Sequence, residues 1–144
     1  RGLGDVYKRQ EQHIGISKDY NVFELQRALG NKDIERANRI VQYFEANPKN
    51  APLAMVVPVL HAYFARVLVY QTLQDRSEGA AAKAMRCSPY AVRDYARAAG
   101  AFAPAKVERI FGYLRDADKK AKGQSNATTT DGMLLREAVF KILH

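Results

Sequence analysis

The stretch Pro52-Leu-Ala-Met-Val-Val-Pro-Val-Leu-His-Ala-Tyr-Phe-Ala-Arg-Val-Leu-Val-Tyr-Gln-Thr-Leu73 decides the fold class. Leu60, Phe64, Val67, Leu68 and Leu73 recur at helical spacing, and no apolar-polar alternation of a strand runs through them. Pro52 suits a first helical turn, where its missing N–H costs nothing. Pro58 removes one helical hydrogen bond, so the sequence predicts a kink there or a start nearer Pro58. Val57, Tyr63 and Val69 lie off the main stripe, which predicts a helix surrounded by others. The most apolar part, Ala51 to Leu60, has ten residues and two prolines. A membrane span needs about 20 apolar residues. The expectation is therefore a soluble chain with no membrane partner.

Upstream, Asn21 can cap a short helix carrying Val22, Leu25 and Leu29, with Gly30 ending it in a left-handed conformation. A second helix is predicted from Asp33 to Ala46, with Ile34, Ala37, Ile40, Val41 and Phe44 inward and Glu35, Arg36, Arg39 and Gln42 outward. Asn47-Pro48 stops it, because the residue before proline avoids helical torsions. Downstream, Asp75 to Gly79 reads as a polar loop and Ala80 to Arg86 as a short helix. Ser88-Pro89 then opens a helix to about Ala99, with Gly100 as its stop. Ala103-Pro104 opens another, to about Lys122, with Val107, Ile110, Phe111 and Leu114 inward and Gly123 as its stop. Gln124 to Thr130 is small and polar, a connector by composition. A last helix, Asp131 to Leu143, places Leu134, Leu135, Ala138, Val139 and Ile142 on one side. With no strand pattern and no internal repeat, the expected fold is all-α, a bundle of six or seven helices.

At 144 residues the chain has room for one ordinary domain. The first ten residues, which end in the string DVYKRQ, look foreign to the rest and are set aside from fold reasoning as a non-native, adaptor-like tail. With no initiator methionine, the chain reads as a fragment. A net charge of +8, from 23 basic and 15 acidic residues, suits an anionic partner. The bases are dispersed along the chain, as on solvated helix faces, so that inference is weak.

Catalytic patterns are missing. No Gly-rich loop ends in Gly-Lys-Ser or Gly-Lys-Thr, so no phosphate cradle is encoded. His13, His61 and His144 are far apart and flank no carboxylate cluster, whereas a metal needs several convergent ligands. His61 reads as a packed or half-exposed helix residue. The single cysteine, Cys87, excludes an internal disulfide, and this fits a reducing cytoplasm. Arg86 beside it can lower its pKa, but an inert turn cysteine is the simpler reading. No metal, cofactor or catalytic residue is assigned.

Two basic groups are candidate DNA contacts. Ala80 to Ala99 has the outline of a helix-turn-helix, whose second helix carries Tyr90, Arg93, Tyr95 and Arg97; Arg93 and Arg97 can reach phosphates or guanine edges. Any helical hairpin has this outline, and Ala91, Val92, Tyr95 and Ala99 form the inward stripe a packed helix needs. Lys119, Lys120 and Lys122, with Asp116 and Asp118, form a charged helix end. The lysines suit the negative pole of the helix dipole, and a phosphate contact is the alternative.

The run Ile14-Gly-Ile-Ser-Lys-Asp-Tyr-Asn-Val-Phe-Glu-Leu-Gln-Arg-Ala-Leu-Gly30 resembles the delta subunit of bacterial DNA polymerase III at the junction before its C-terminal domain. The likeness continues through Lys32-Asp33-Ile34, Ala37-Asn38-Arg39-Ile40, Tyr43-Phe44, Asn47-Pro48-Lys49, Pro52-Leu53 and Tyr63-Phe64. Ser88-Pro89-Tyr90, Asp94-Tyr95, Lys106, Leu114-Arg115-Asp-Ala-Asp118, Lys122-Gly123 and Leu135-Arg136-Glu137 extend it. It covers Ile14 to Leu143 and is most like the Bacteroidetes-type variant. None of these motifs is a catalytic signature; their order and spacing carry the resemblance.

The resemblance implies that residues 11–20 end the preceding lid domain of AAA+ type and that 21–144 form a C-terminal helical collar domain. It implies a clamp-loader subunit that hydrolyses no ATP, within a holoenzyme that is a DNA-directed DNA polymerase. The implied partners are the gamma/tau and delta prime subunits through the collar. The sliding clamp and primed DNA would be met through the full-length subunit. The clamp-opening element would lie in an N-terminal domain outside this sequence, and the location would be cytoplasmic.

Overall fold

The computed structural model describes residues 17–123 and 128–144. The adaptor-like tail, His13, residues 14–16 of the resemblance and most of the Gln124–Thr130 connector lie outside the described residues. Among the described residues seven α-helices follow in order: α1 (Val22–Gly30), α2 (Ile34–Ala46), α3 (Leu53–Thr72), α4 (Glu78–Met85), α5 (Val92–Ala101), α6 (Pro104–Gly123) and α7 (Asp131–Leu143). Two short 3-10 turns, Pro48–Asn50 and Pro89–Ala91, precede α3 and α5. There is no strand among the described residues, as the periodicity predicts.

The central helix is α3, which packs against α1, α4, α5, α6 and α7. Around it α5, α1, α2, α7 and α6 each touch the next in that order. Leu60, Phe64 and Val67 of the expected stripe are buried, and so is the off-stripe Tyr63. Leu68 and Leu73 are only half-buried. Phe64 is the hub of an aromatic cluster, edge-on to Phe102 at 5.6 Å and to Tyr63 at 5.1 Å between ring centroids. Edge-to-face pairs set the ring's positive rim against its neighbour's negative face. By length and composition alone α3 is apolar enough to cross a membrane, a property the shorter window ending at Leu60 did not register. Here it carries the inner side of the bundle.

Local chemistry places the helix ends. The Asn21 Oδ1 accepts the N–H groups of Phe23 and Glu24 at 3.0 Å. The Asp33 Oδ1 accepts from Arg36 at 3.2 Å, and the Thr130 Oγ1 from Met133 at 3.2 Å. Each satisfies a donor that the first turn leaves open. Pro52 offers no such oxygen; instead the Asp131 carboxylate, from the first residue of α7, accepts the Leu53 N–H at 2.8 Å. With that support α3 starts at Leu53 and runs unbroken through Pro58.

Three sequence expectations need correction. Gly30 is the last residue of α1 and is buried; the left-handed residue of that turn is Lys32, with φ 52°. Gly100 lies inside α5, which ends where Phe102 turns extended and inserts into the core. Ile34, expected inward, is exposed as the first residue of α2.

Candidate functional site

An apolar groove lies where α1, α3 and α5 meet. Phe23 and Gln26 of α1, Pro58, Val59 and Ala62 of α3, and the edges of Tyr63, Arg66 and Tyr95 line it, and its volume is about 320 Å³. A smaller recess of about 90 Å³ adjoins it, sharing Phe23, Gln26, Tyr63 and Tyr95 and adding Arg27, Ala91 and Asp94. Phe23 is 63% exposed. It is the second residue of α1 and sits off the stripe of Val22, Leu25 and Leu29, so helical geometry turns it away from the core. Tyr90, in the 3-10 turn beside Ala91, is 92% exposed.

The groove's back wall is fixed by contacts that run between elements. The Arg66 Nε donates to the Met85 carbonyl at 2.8 Å, a cation at the C-terminal end of α4. The Gln71 Nε2 donates to the Ala99 carbonyl at 3.2 Å and the Phe102 carbonyl at 2.7 Å, closing the end of α5. Tyr63 and Tyr95 stand 5.2 Å apart between ring centroids. Burial pushes the Tyr63 hydroxyl well above the usual tyrosine range, and Asp94 adds to the rise. Burial also raises Tyr95, against the opposing charge of Arg66. Both hydroxyls are therefore neutral at physiological pH.

Cys87 follows α4 directly. Burial raises its thiol pKa, and the cation that opposes the rise is Arg66, not the sequence neighbour Arg86. Arg86 takes a left-handed conformation at the end of α4. The raised pKa agrees with the inert turn cysteine preferred from the sequence, and Arg86 is not the cation that acts on the thiol. His61 is exposed on α3 and lies against Phe111 at 4.9 Å. Among the described residues, no group of three or more His, Cys, Asp or Glu side chains converges on a metal position.

The candidate DNA contacts are divided between two helices, α5 and α6. Arg93 is exposed on α5. Arg97 pairs with Asp94 at 3.5 Å and donates to the Asn31 Oδ1 at 3.3 Å. On α6, Lys122 pairs with Asp118 at 2.9 Å, and Lys120 shares Glu137 with Lys141, each at 3.2 Å. Hydrogen bonds from Lys120 and Lys141 hold the Glu137 carboxyl below the usual range. Lys119 is exposed and makes no ion pair among the described residues. Pro104 opens α6 just after α5 ends, so a rise of about 1.5 Å per residue sets Lys120 roughly 24 Å further along the α6 axis.

The groove was not legible in the sequence as a site. Its signal was apolar residues off the stripe, Phe23 on α1 and Val59 on α3, which periodicity alone treats as noise.

Compared with known proteins, residues 19–135 match the family model described as DNA polymerase III delta subunit, C-terminal domain. Among solved structures, the Bacillus subtilis DNA clamp loader delta protein superposes with a TM-score of 0.68 at 17% identity. The likeness covers 88% of this chain and 37% of that one, so the chain spans little over a third of that protein's length. At that identity the likeness speaks for the fold. A search of curated proteins gave no match.

Proposed function

The chain belongs to the family formed by the C-terminal domain of the DNA polymerase III delta subunit, and we propose that it works there as a collar, an assembly domain of the clamp loader. Its task on this reading is to bury surface against neighbouring subunits, with residues 21–144 as the collar and 11–20 as the end of the preceding lid. The observation that carries the reading is Phe23, held 63% exposed over an apolar groove in a chain of this family. A large aromatic that a cap-fixed helix holds in water is a standing hydrophobic cost, and a partner's surface removes it. Ring-forming contacts of this kind are heterologous, so each subunit presents two different faces. Met133 and Phe140, both exposed and seven residues apart on α7, are apolar residues for the second.

The proposed partners are the gamma/tau and delta prime subunits, with the sliding clamp and primed DNA engaged through the full-length subunit, in the cytoplasm. This segment catalyses nothing on that reading. The test is size-exclusion with mass detection of the full-length subunit, alone and mixed with the other clamp-loader subunits of the same organism. A stoichiometric mixed complex is expected. A folded protein that elutes unchanged in the mixture overturns the reading.

A second reading, DNA contact by Arg93, Arg97, Lys119, Lys120 and Lys122, is favoured by one observation. Arg93 and Tyr90 stand exposed together at the start of α5, without a partner among the described residues.

A further inference from the structure

We propose that the groove between α1, α3 and α5 receives an apolar side chain flanked by a carboxylate, presented by a neighbouring clamp-loader subunit. The proposal rests on the assembly reading and adds to it the chemistry of the occupant. The floor is apolar, made by Phe23, Pro58, Val59 and Ala62. Two arginines and one aspartate edge it: Arg27, Arg66 and Asp94.

The aspartate's charge is already answered, because Asp94 pairs with Arg97 at 3.5 Å. The other carboxylate of α1, Glu24, is held by Arg36 of α2 at 3.2 Å. Arg27 is exposed and has no acidic partner among the described residues. Arg66 donates to the Met85 carbonyl at 2.8 Å and has no acidic partner among the described residues. The groove is therefore an apolar floor between two arginines that no carboxylate answers among the described residues.

A nucleic-acid backbone answers the arginines but gains nothing from Pro58, Val59 and Ala62. A purely apolar segment fills the floor and leaves both guanidiniums to lose water without a partner. A protein segment that pairs one large apolar side chain with a nearby Asp or Glu satisfies both. It also has the make-up of a binding hot spot, an apolar anchor with charge complementarity at its edge.

The experiment measures affinity between the full-length subunit and its purified clamp-loader neighbours for wild type, Phe23→Ser, Arg27→Glu and the control Arg109→Glu. All three positions are exposed, so each variant is expected to fold, and thermal melts confirm it. Phe23→Ser and Arg27→Glu are each expected to weaken assembly about 10-fold or more, and Arg109→Glu less than about 2-fold. A wild type that assembles, with both groove variants unaffected, overturns this proposal and leaves the assembly reading standing. A wild type that does not assemble overturns both. Equal losses in Arg27→Glu and Arg109→Glu reduce the effect to overall charge and overturn the local match. Unchanged assembly with lost affinity for primed DNA gives the groove to nucleic acid instead.

Discussion

Gly30 shows how one hydrogen atom decides a packing distance. A Cβ added there would overlap the Tyr63 hydroxyl and lie 3.1 Å from Tyr63 Cζ and 3.3 Å from Ala98 Cβ. Glycine inside a helix ordinarily costs about 0.5–1 kcal/mol against alanine, so Gly→Ala usually stabilises. Here the sign reverses, because Tyr63 is buried against Phe64 and Tyr95 and its ring must leave that packing to make room. Gly30→Ala is expected to destabilise the chain by about 1–3 kcal/mol, the usual range for overpacking. Tyr63→Phe in the same chain should recover part of that loss, since it removes the overlapping oxygen. Urea denaturation of the two single variants and the double variant checks both statements, and additive losses would sink the explanation. From the sequence, Gly30 reads as a helix stop. Its position was legible and its reason was not, because the neighbour that needs the space sits on another helix.

At the scale of elements, the legible part was what each helix shows along its own length. The stripes of α2, α6 and α7, and the side-chain caps at Asn21 and Ser88, follow from neighbours within one or two turns. What the sequence could not show is how helices finish one another. The Asp131 carboxylate caps α3 across 78 positions of chain, Gln71 closes α5 across 28 and 31, and the Lys106 Nζ meets the Lys141 carbonyl at 2.8 Å across 35. Periodicity senses none of these pairs, and the groove shares that fate, since its walls come from three helices. The Asp131 cap matters most because it ties the first turn of α7 to the first turn of α3. A carboxylate at a helix N-terminus also faces the positive end of the helix dipole. Asp131→Ala should therefore cost about 1–2 kcal/mol, the upper part of the range for a lost cap. Asp131→Asn, which keeps an oxygen but not the charge, should cost less. Thermal melts of the two variants rank them; equal melting temperatures for Asp131→Ala and wild type would show that the bond contributes nothing to stability.

Over the whole molecule, charge is the property most easily misread. A net +8 invites a nucleic-acid reading, yet the structure distributes that charge. Arg97 is engaged by Asp94 and Asn31, and Lys120 and Lys122 by carboxylates of α7 and α6. A helix-turn-helix reader presents the outer face of its second helix to a groove; α5 buries Val92, Tyr95 and Ala98 inward, as any packed helix does, and leaves Arg93 exposed. Dispersed positive charge on a closed bundle gives weak attraction to any polyanion and discriminates poorly between sequences. The expected result is duplex binding that is alike for unrelated sequences and falls steeply as salt rises. Arg93→Ala and Arg97→Ala should each change affinity by less than about 3-fold, as for the loss of one phosphate contact among several. Fluorescence-anisotropy titrations of both variants and wild type, on two unrelated duplexes at two salt concentrations, decide it. A loss of about 10-fold or more on one duplex only, in the range of a lost base contact, would mean that α5 reads sequence. The domain would then meet DNA directly, in addition to the assembly role proposed for it.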